Sequence, residues 1–61
     1  MSNWIDCDDK LPEKFGVYIV TLNHASVDFC EYYPKKQQFG WNDKLCDEVV
    51  AWMPLPEPYQ K

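Results

Sequence analysis

The side chains of this 61-residue chain that could do chemistry are three cysteines, one histidine and two groups of carboxylates. Cys7, His24, Cys30 and Cys46 have the ligand types of a tetrahedral zinc site. Structural zinc sites are built from close ligand pairs, usually separated by about two to four residues, and this sequence has none. We therefore expect no metal, and we interpret Cys30 and Cys46 as small buried hydrophobic residues.

Cys30 and His24 lie on adjoining parts of one predicted hairpin, as a thiol–imidazole pair requires. A domain this small encloses hardly any cleft that could lower a thiol pKa or hold a substrate. We therefore expect a protein that is not an enzyme, has no catalytic residue and needs no cofactor. The odd cysteine count and the lack of a signal-peptide pattern favour a reduced protein in the cytoplasm.

Six carboxylates form one group near the start and one in the last polar segment: Asp6, Asp8 and Asp9, then Asp43, Asp47 and Glu48. Neither group has the spacing and central glycine of a calcium loop. Acidic clusters on an acidic protein are usually solvated surface. The second group could instead contact a basic surface of a partner.

Hydrophobic patterning predicts a single small domain over residues 1–61, mainly β, in which three to four strands form an antiparallel meander. Predicted strands cover residues 17–22, 27–33, 38–41 and 49–53. Residues 42–48 are predicted to be a loop. The proline-rich segment 54–59 cannot pair as a central strand and is predicted to be an extended tail.

Aromatic residues make up 16% of the chain and can supply the core that so short a sequence otherwise lacks. We expect the core to contain Trp4, Val17, Ile19, Trp41 and Trp52. The strand over 27–33 carries aromatic side chains on both faces, so the pattern leaves its buried face open.

The net charge is −4, and all six basic residues are lysines. Arginine is the usual bidentate ligand of phosphates and base edges, and an acidic chain lacks the basic surface that nucleic-acid binding needs. We expect no direct nucleic-acid contact. No apolar run approaches the roughly 20 residues of a membrane span, so we expect no membrane insertion.

Three short motifs are distinctive together: Trp4-Ile5, then Leu11-Pro12, then the terminal Trp-Met-Pro-Leu-Pro-Glu-Pro of residues 52–58. This combination resembles the small proteins gathered as domain of unknown function 551, which are frequent in phages and prophages. Members often carry a histidine just before the terminal tryptophan, where this chain has Ala51. The resemblance implies a phage or prophage origin and a compact β fold, and it implies no biochemical activity.

Our leading hypothesis is a non-enzymatic, phage-type accessory protein that binds a host or phage protein. A small acidic protein can occupy a basic surface, which would make it an inhibitor by charge mimicry. We expect Asp43, Asp47 and Glu48 to carry that binding.

Two other functions fit the same sequence. One is a protein that sequesters a small molecule or nucleotide in an aromatic pocket between subunits, where residues such as Trp41 and Tyr33 would stack on a base. The other is a minor structural or assembly component.

The strand over 27–33 has no proline or lysine to guard it against pairing or packing with a second chain. A two-fold partner is the simplest cover for its second aromatic face. We therefore predict a homodimer with Phe29, Tyr32 and Tyr33 near the interface.

Overall fold

The computed structural model describes residues 3–56. Its strands form one antiparallel sheet in the order β1-β6-β2-β3-β4-β5. The strands are β1 (Ile5–Asp6), β2 (Gly16–Leu22), β3 (Val27–Tyr33), β4 (Gln38–Trp41), β5 (Lys44–Cys46) and β6 (Val49–Pro54). The predicted small antiparallel β domain is confirmed.

Two short strands, β1 and β5, raise the strand number to six, where the sequence predicts three to four. The prediction that residues 42–48 form a loop is wrong for the middle of this segment, which forms β5. Asn42 and Asp43 have φ angles of 51° and 66°, and such a pair of left-handed residues makes a two-residue hairpin turn. That turn lets Lys44–Cys46 return along β4. Pro54 still belongs to β6, and residues 57–59 of the predicted tail lie outside the described residues.

The connection between β5 and β6 shows that the sheet is strongly coiled. Three strands separate β5 from β6 in the sheet, which would place them about 19 Å apart if it were flat. The two connecting residues, Asp47 and Glu48, span at most about 11 Å, because consecutive Cα atoms are about 3.8 Å apart. The sheet therefore curls, with a concave inner face and a convex outer face.

The core lies on the inner face. Its buried side chains come from four of the six strands and are Val20, Cys30, Tyr32, Phe39 and Trp52. Their rings pack edge to face, with the Tyr32 and Phe39 centroids 4.9 Å apart. The inner side of the coiled sheet thus holds the apolar residues that stabilise the domain.

The segment between β1 and β2 closes the inner face. Leu11 packs against the core, and Pro12 beside it is buried. Trp52 Nε1 donates a hydrogen bond of 2.8 Å to the carbonyl oxygen of Lys10, and Tyr18 Oη donates one of 3.0 Å to that of Lys14. These two bonds hold the backbone of the segment across the core. Each of them also satisfies the polar atom of an aromatic side chain that faces the core.

The predicted core is correct for Trp52 and wrong for Trp41, which is 48% exposed. Trp4 is half-buried. Val17 and Ile19 are also half-buried, on the outer face, because β2 turns its alternate residues inward, Val20 among them. Nearly every position of β2 is apolar, so the sequence pattern did not distinguish its two faces.

Candidate functional site

The pairing register identifies the side chains of the outer face, because residues opposite each other in a ladder point to the same side of the sheet. Ile19 in β2 lies opposite Phe29 in β3 and Met53 in β6. The ring of Phe15, just before β2, lies 5.9 Å from that of Tyr33. We name this surface the apolar outer face; its residues are Phe15, Ile19, Val27, Phe29, Tyr33 and Met53.

The apolar outer face is open to solvent. Phe15 is 61% exposed, Val27 63% and Phe29 56%. The longest described segment outside the strands packs on the inner face, and the remaining described connections are turns of two to four residues. Contiguous exposed apolar surface of this kind usually marks an interaction site.

Glu31 is a carboxylate on the outer side of β3, opposite Val17, and it accepts hydrogen bonds from within the chain. Its Oε1 accepts a hydrogen bond of 2.8 Å from Tyr33 Oη and one of 3.1 Å from the amide of Asn42. Tyr33 Oη in turn accepts a hydrogen bond of 3.0 Å from the amide of Asp43. This network fastens the β4–β5 turn to β3.

The phenol of Tyr33 is held in its protonated, donating form. Burial raises the pKa of Tyr33, and the neighbouring carboxylate of Glu31 raises it further, whereas the amide of Asp43 acts in the opposite direction. The outer face therefore presents a negatively charged carboxylate that is already hydrogen-bonded within the chain.

The two ends of the β2–β3 hairpin differ in charge. We call the end near Lys35 and Lys36 the basic end, and the end near Asp47 and Glu48 the acidic end. At one end, Lys36 Nζ lies 5.6 Å from the ring centroid of Tyr33. Here an open concavity of about 420 Å³ is lined by Phe15, Tyr33, Pro34, Lys35, Lys36 and Asp43. At the other end, the amide of Asn23 donates a hydrogen bond of 2.8 Å to the carbonyl oxygen of Glu48. That contact brings the exposed Asp47–Glu48 pair beside the β2–β3 turn.

Asp28 lies at the acidic end, on a free edge of the sheet. β4 pairs only with residues 31–33 of β3, so residues 27–29 have a strand partner on one side alone among the described residues. The carboxylate of Asp28 accepts a hydrogen bond of 2.7 Å from the amide of Phe29. Such a contact guards an exposed edge against unwanted strand pairing.

The structure divides the predicted binding residues between different places. Phe29 and Tyr33 lie on the apolar outer face, but Tyr32 does not belong there, because its side chain points inward and is 2% exposed. Asp43 lines the concavity together with the lysines, apart from Asp47 and Glu48 at the acidic end. The three acidic residues therefore do not form one patch. Ile19 and Met53 were missed, since only the register assigns them to this surface.

The first group of carboxylates has a role in local structure. The carboxylate of Asp6 accepts a hydrogen bond of 2.8 Å from the amide of Asp8, which makes a local turn. Within residues 3–56, no three His, Cys, Asp or Glu side chains are grouped as a metal site would require. The same range holds no helix long and apolar enough to cross a membrane.

Cys30 and His24 do not form a nucleophilic pair in the described contacts. His24 Nδ1 lies 3.1 Å from Ser26 Oγ in the exposed β2–β3 turn. The thiol of Cys30 is buried, and this burial, followed by the effects of Cys46 and Asp28, raises its pKa to about 11. A thiol that stays protonated at neutral pH is a poor nucleophile.

We expect the free energy of unfolding to fall as pH rises from about 9 to about 11. The Cys30 thiol ionises near 9.0 when unfolded and near 11 when folded, so the unfolded state loses its proton first across this window. Urea unfolding at a series of pH values should show this decline, with a shallower slope for Cys30→Ala. Burial also raises the pKa of Tyr32, so part of the slope remains. An identical slope in wild type and Cys30→Ala would contradict the prediction.

Comparison with known proteins finds no match among curated proteins or solved structures. A family model does match, over residues 3–60, which is nearly the whole chain. This match covers all three motifs on which the resemblance was based. The chain therefore belongs to the family described as Protein of unknown function (DUF551).

Proposed function

We propose that this chain is a non-enzymatic accessory protein of phage type, which acts in the host cytoplasm by docking on a protein partner through its apolar outer face. The observation that carries the proposal is the exposure of Phe15, Val27 and Phe29 on one continuous side of the sheet. Contiguous exposed aromatic and aliphatic side chains are typical of protein interaction surfaces. The raised pKa of Cys30 argues against this thiol as a catalytic nucleophile.

The proposal is tested by comparing two variants that add the same charge at different exposed apolar positions. Phe29→Glu places a carboxylate in the middle of the apolar outer face, where docking would have to desolvate it. Leu55→Glu is the matched control, because Leu55 is 41% exposed and lies beyond the last strand. We expect a partner captured from a phage-infected host lysate by wild type to be lost with Phe29→Glu and kept with Leu55→Glu. Equal capture by both variants would contradict the proposal.

A second candidate is a protein that sequesters a small anionic aromatic molecule such as a nucleotide. The concavity of about 420 Å³ at the basic end favours it, because two aromatic rings and two lysines line one depression. Phe15 stands beside Tyr33 there, whereas Trp41 lines a separate depression with Phe29 and Leu45. A nucleotide panel in a thermal-shift assay separates this candidate from protein docking when wild type is compared with Lys36→Ala, because Lys36 lines the concavity but is not part of the apolar outer face.

A further inference from the structure

We infer that the exposed edge of β3 at residues 27–29, which we name the free β3 edge, binds an extended peptide of a foreign partner. This peptide adds a strand to the sheet and places a basic residue opposite Asp28. The inference rests on the proposed docking role, because Val27 and Phe29 belong to both surfaces, and it adds how the partner is held. It is carried by the backbone of the edge, by the depression beside it and by the contact that Asp28 makes.

The backbone of the free β3 edge turns hydrogen-bonding groups away from the sheet. The amide of Leu22 donates a hydrogen bond of 2.8 Å to the carbonyl oxygen of Ser26. Bonded positions alternate along an antiparallel ladder, so Asp28 turns its backbone groups towards β2, whereas Val27 and Phe29 turn theirs outward. β4 pairs only further along β3, so no strand among the described residues pairs with these outward groups. An extended peptide can pair with them, as strands do when they are added to exposed sheet edges.

An open depression of about 570 Å³ lies at one end of the free β3 edge, beside the turn of the β4–β5 hairpin. Phe29 lines it from β3, and Trp41 and Leu45 line it from the hairpin. All three side chains are exposed. An added strand would lie in line with β4, since both pair with the same side of β3. Apolar side chains of the strand would then cover these three residues.

Asp28 determines which strand fits. Its carboxylate accepts a hydrogen bond of 2.7 Å from the amide of Phe29, so it covers one outward group while the edge is empty. An added strand bonds that amide with its own carbonyl oxygen and displaces the carboxylate. A lysine or arginine opposite Asp28 pairs with the displaced charge, whereas an acidic residue there is repelled.

The neighbours of that basic residue are set by the same ladder. Residues opposite Val27 and Phe29 lie on the outer side of the sheet, beside exposed apolar side chains. Lys44 also lines the depression, so further positive charge on the strand is unfavourable there. The free β3 edge therefore selects a strand in which one basic residue stands between two apolar ones.

A second copy of this chain fits the same edge poorly. Two copies paired antiparallel along the whole free β3 edge would be centred on Asp28 and would set two carboxylates directly opposite each other. The net charge of −4 adds repulsion between copies. A foreign strand with a basic residue avoids both costs.

Titration of the full chain with a capped synthetic peptide, Thr-Val-Lys-Val-Thr, tests the inference by NMR. We expect the amide resonances of Val27 and Phe29 to move most, and Thr-Val-Glu-Val-Thr to bind about tenfold more weakly. Asp28→Lys should reverse this preference, which a mere loss of stability would not do. Absence of shifts at the free β3 edge, or the same preference in wild type and Asp28→Lys, would overturn the inference.

Val27→Pro tests the backbone contribution. It removes an outward N–H group but keeps the pairing with β2, because proline is tolerated where the N–H of an edge strand faces solvent. We expect it to weaken binding of the lysine peptide about tenfold. Val27→Ala is the matched control, since it shortens the side chain and keeps the N–H, and it should have a much smaller effect. Urea unfolding establishes that both variants are folded, and equal weakening by the two would contradict strand addition.

The capture experiment with Phe29→Glu separates this inference from the proposed function. If a captured partner is lost with Phe29→Glu but kept with Val27→Pro, the docking role survives and strand addition is refuted. If Phe29→Glu keeps the partner while Asp28→Lys reverses the peptide preference, strand addition stands and docking by the outer face fails. Sedimentation at twice the 7.3 kDa chain mass, abolished by Val27→Pro, would replace the foreign strand with a second copy.

Discussion

Replacing Trp52 with alanine should leave the chain largely unfolded. Trp52 is 5% exposed, lies opposite Val20 and packs edge to face on Tyr18 with ring centroids 5.2 Å apart. Removing so large a buried side chain costs about 3–5 kcal/mol. A domain of this length has about 3–9 kcal/mol in total, so most or all of its stability would be lost. Urea unfolding followed by circular dichroism measures the effect.

Trp41→Ala is the matched control, because it makes the same change at a tryptophan that is 48% exposed. We expect it to cost less than about 1 kcal/mol. Trp52→Phe isolates the hydrogen bond to the carbonyl of Lys10, since it keeps an aromatic ring but removes the donor. It should cost about 1–3 kcal/mol. A Trp52→Ala protein that still unfolds cooperatively, at wild-type stability, would show that the core has been misplaced.

Gly40→Ala should weaken the pairing of β5 with β4. Gly40 has no positive φ, so the constraint is close packing rather than backbone conformation. A Cβ there would collide with the carbonyl oxygen of Lys44 and lie 3.0 Å from both the carbonyl carbon of Lys44 and Cε2 of Tyr33. Backbone atoms in a ladder cannot move aside easily, so we expect a loss of about 1–3 kcal/mol.

Gly16→Ala provides the comparison for Gly40→Ala within the same sheet. A Cβ at Gly16 would meet only the ring of Tyr18, at 3.6 to 3.8 Å, which is ordinary van der Waals contact. We therefore expect little change in its free energy of unfolding. Amide exchange should rise in β5 for Gly40→Ala and stay at the wild-type level for Gly16→Ala. Equal destabilisation by the two variants would contradict this account of Gly40.

Local chemistry made the strands predictable, but not the side of the sheet that each residue occupies. The β-branched run beginning at Val17 defines β2 almost to the residue, because few other structures suit such a sequence. That same run has no polar alternation, so it cannot indicate which face is buried. In β3, Tyr32 and Tyr33 are chemically alike, and only pairing with Phe39 and Gln38 separates the inward residue from the outward one.

The hairpin turn before β5 did leave a signal in the sequence. Asn42 and Asp43 are two of the residue types that tolerate the left-handed conformation, and their adjacency is typical of a two-residue turn. The polar character of the surrounding residues suggested a loop instead. The apolar outer face had no such local signal, because it combines residues from β2, β3 and β6 that are far apart in sequence.

The place of β6 between β1 and β2 has a consequence for how the chain folds. Ile5 pairs with Trp52, so β1 gains its strand partner from residues 47 positions away in sequence. The β2–β3–β4 meander can form from local contacts, yet Trp52 reaches the core only when β6 docks. Non-local pairing of this kind slows folding, because loop-closure entropy is lost before the contacts are gained. Folding must therefore bring the two flanks of the chain together, and the tryptophan that stabilises the folded domain arrives with its last strand.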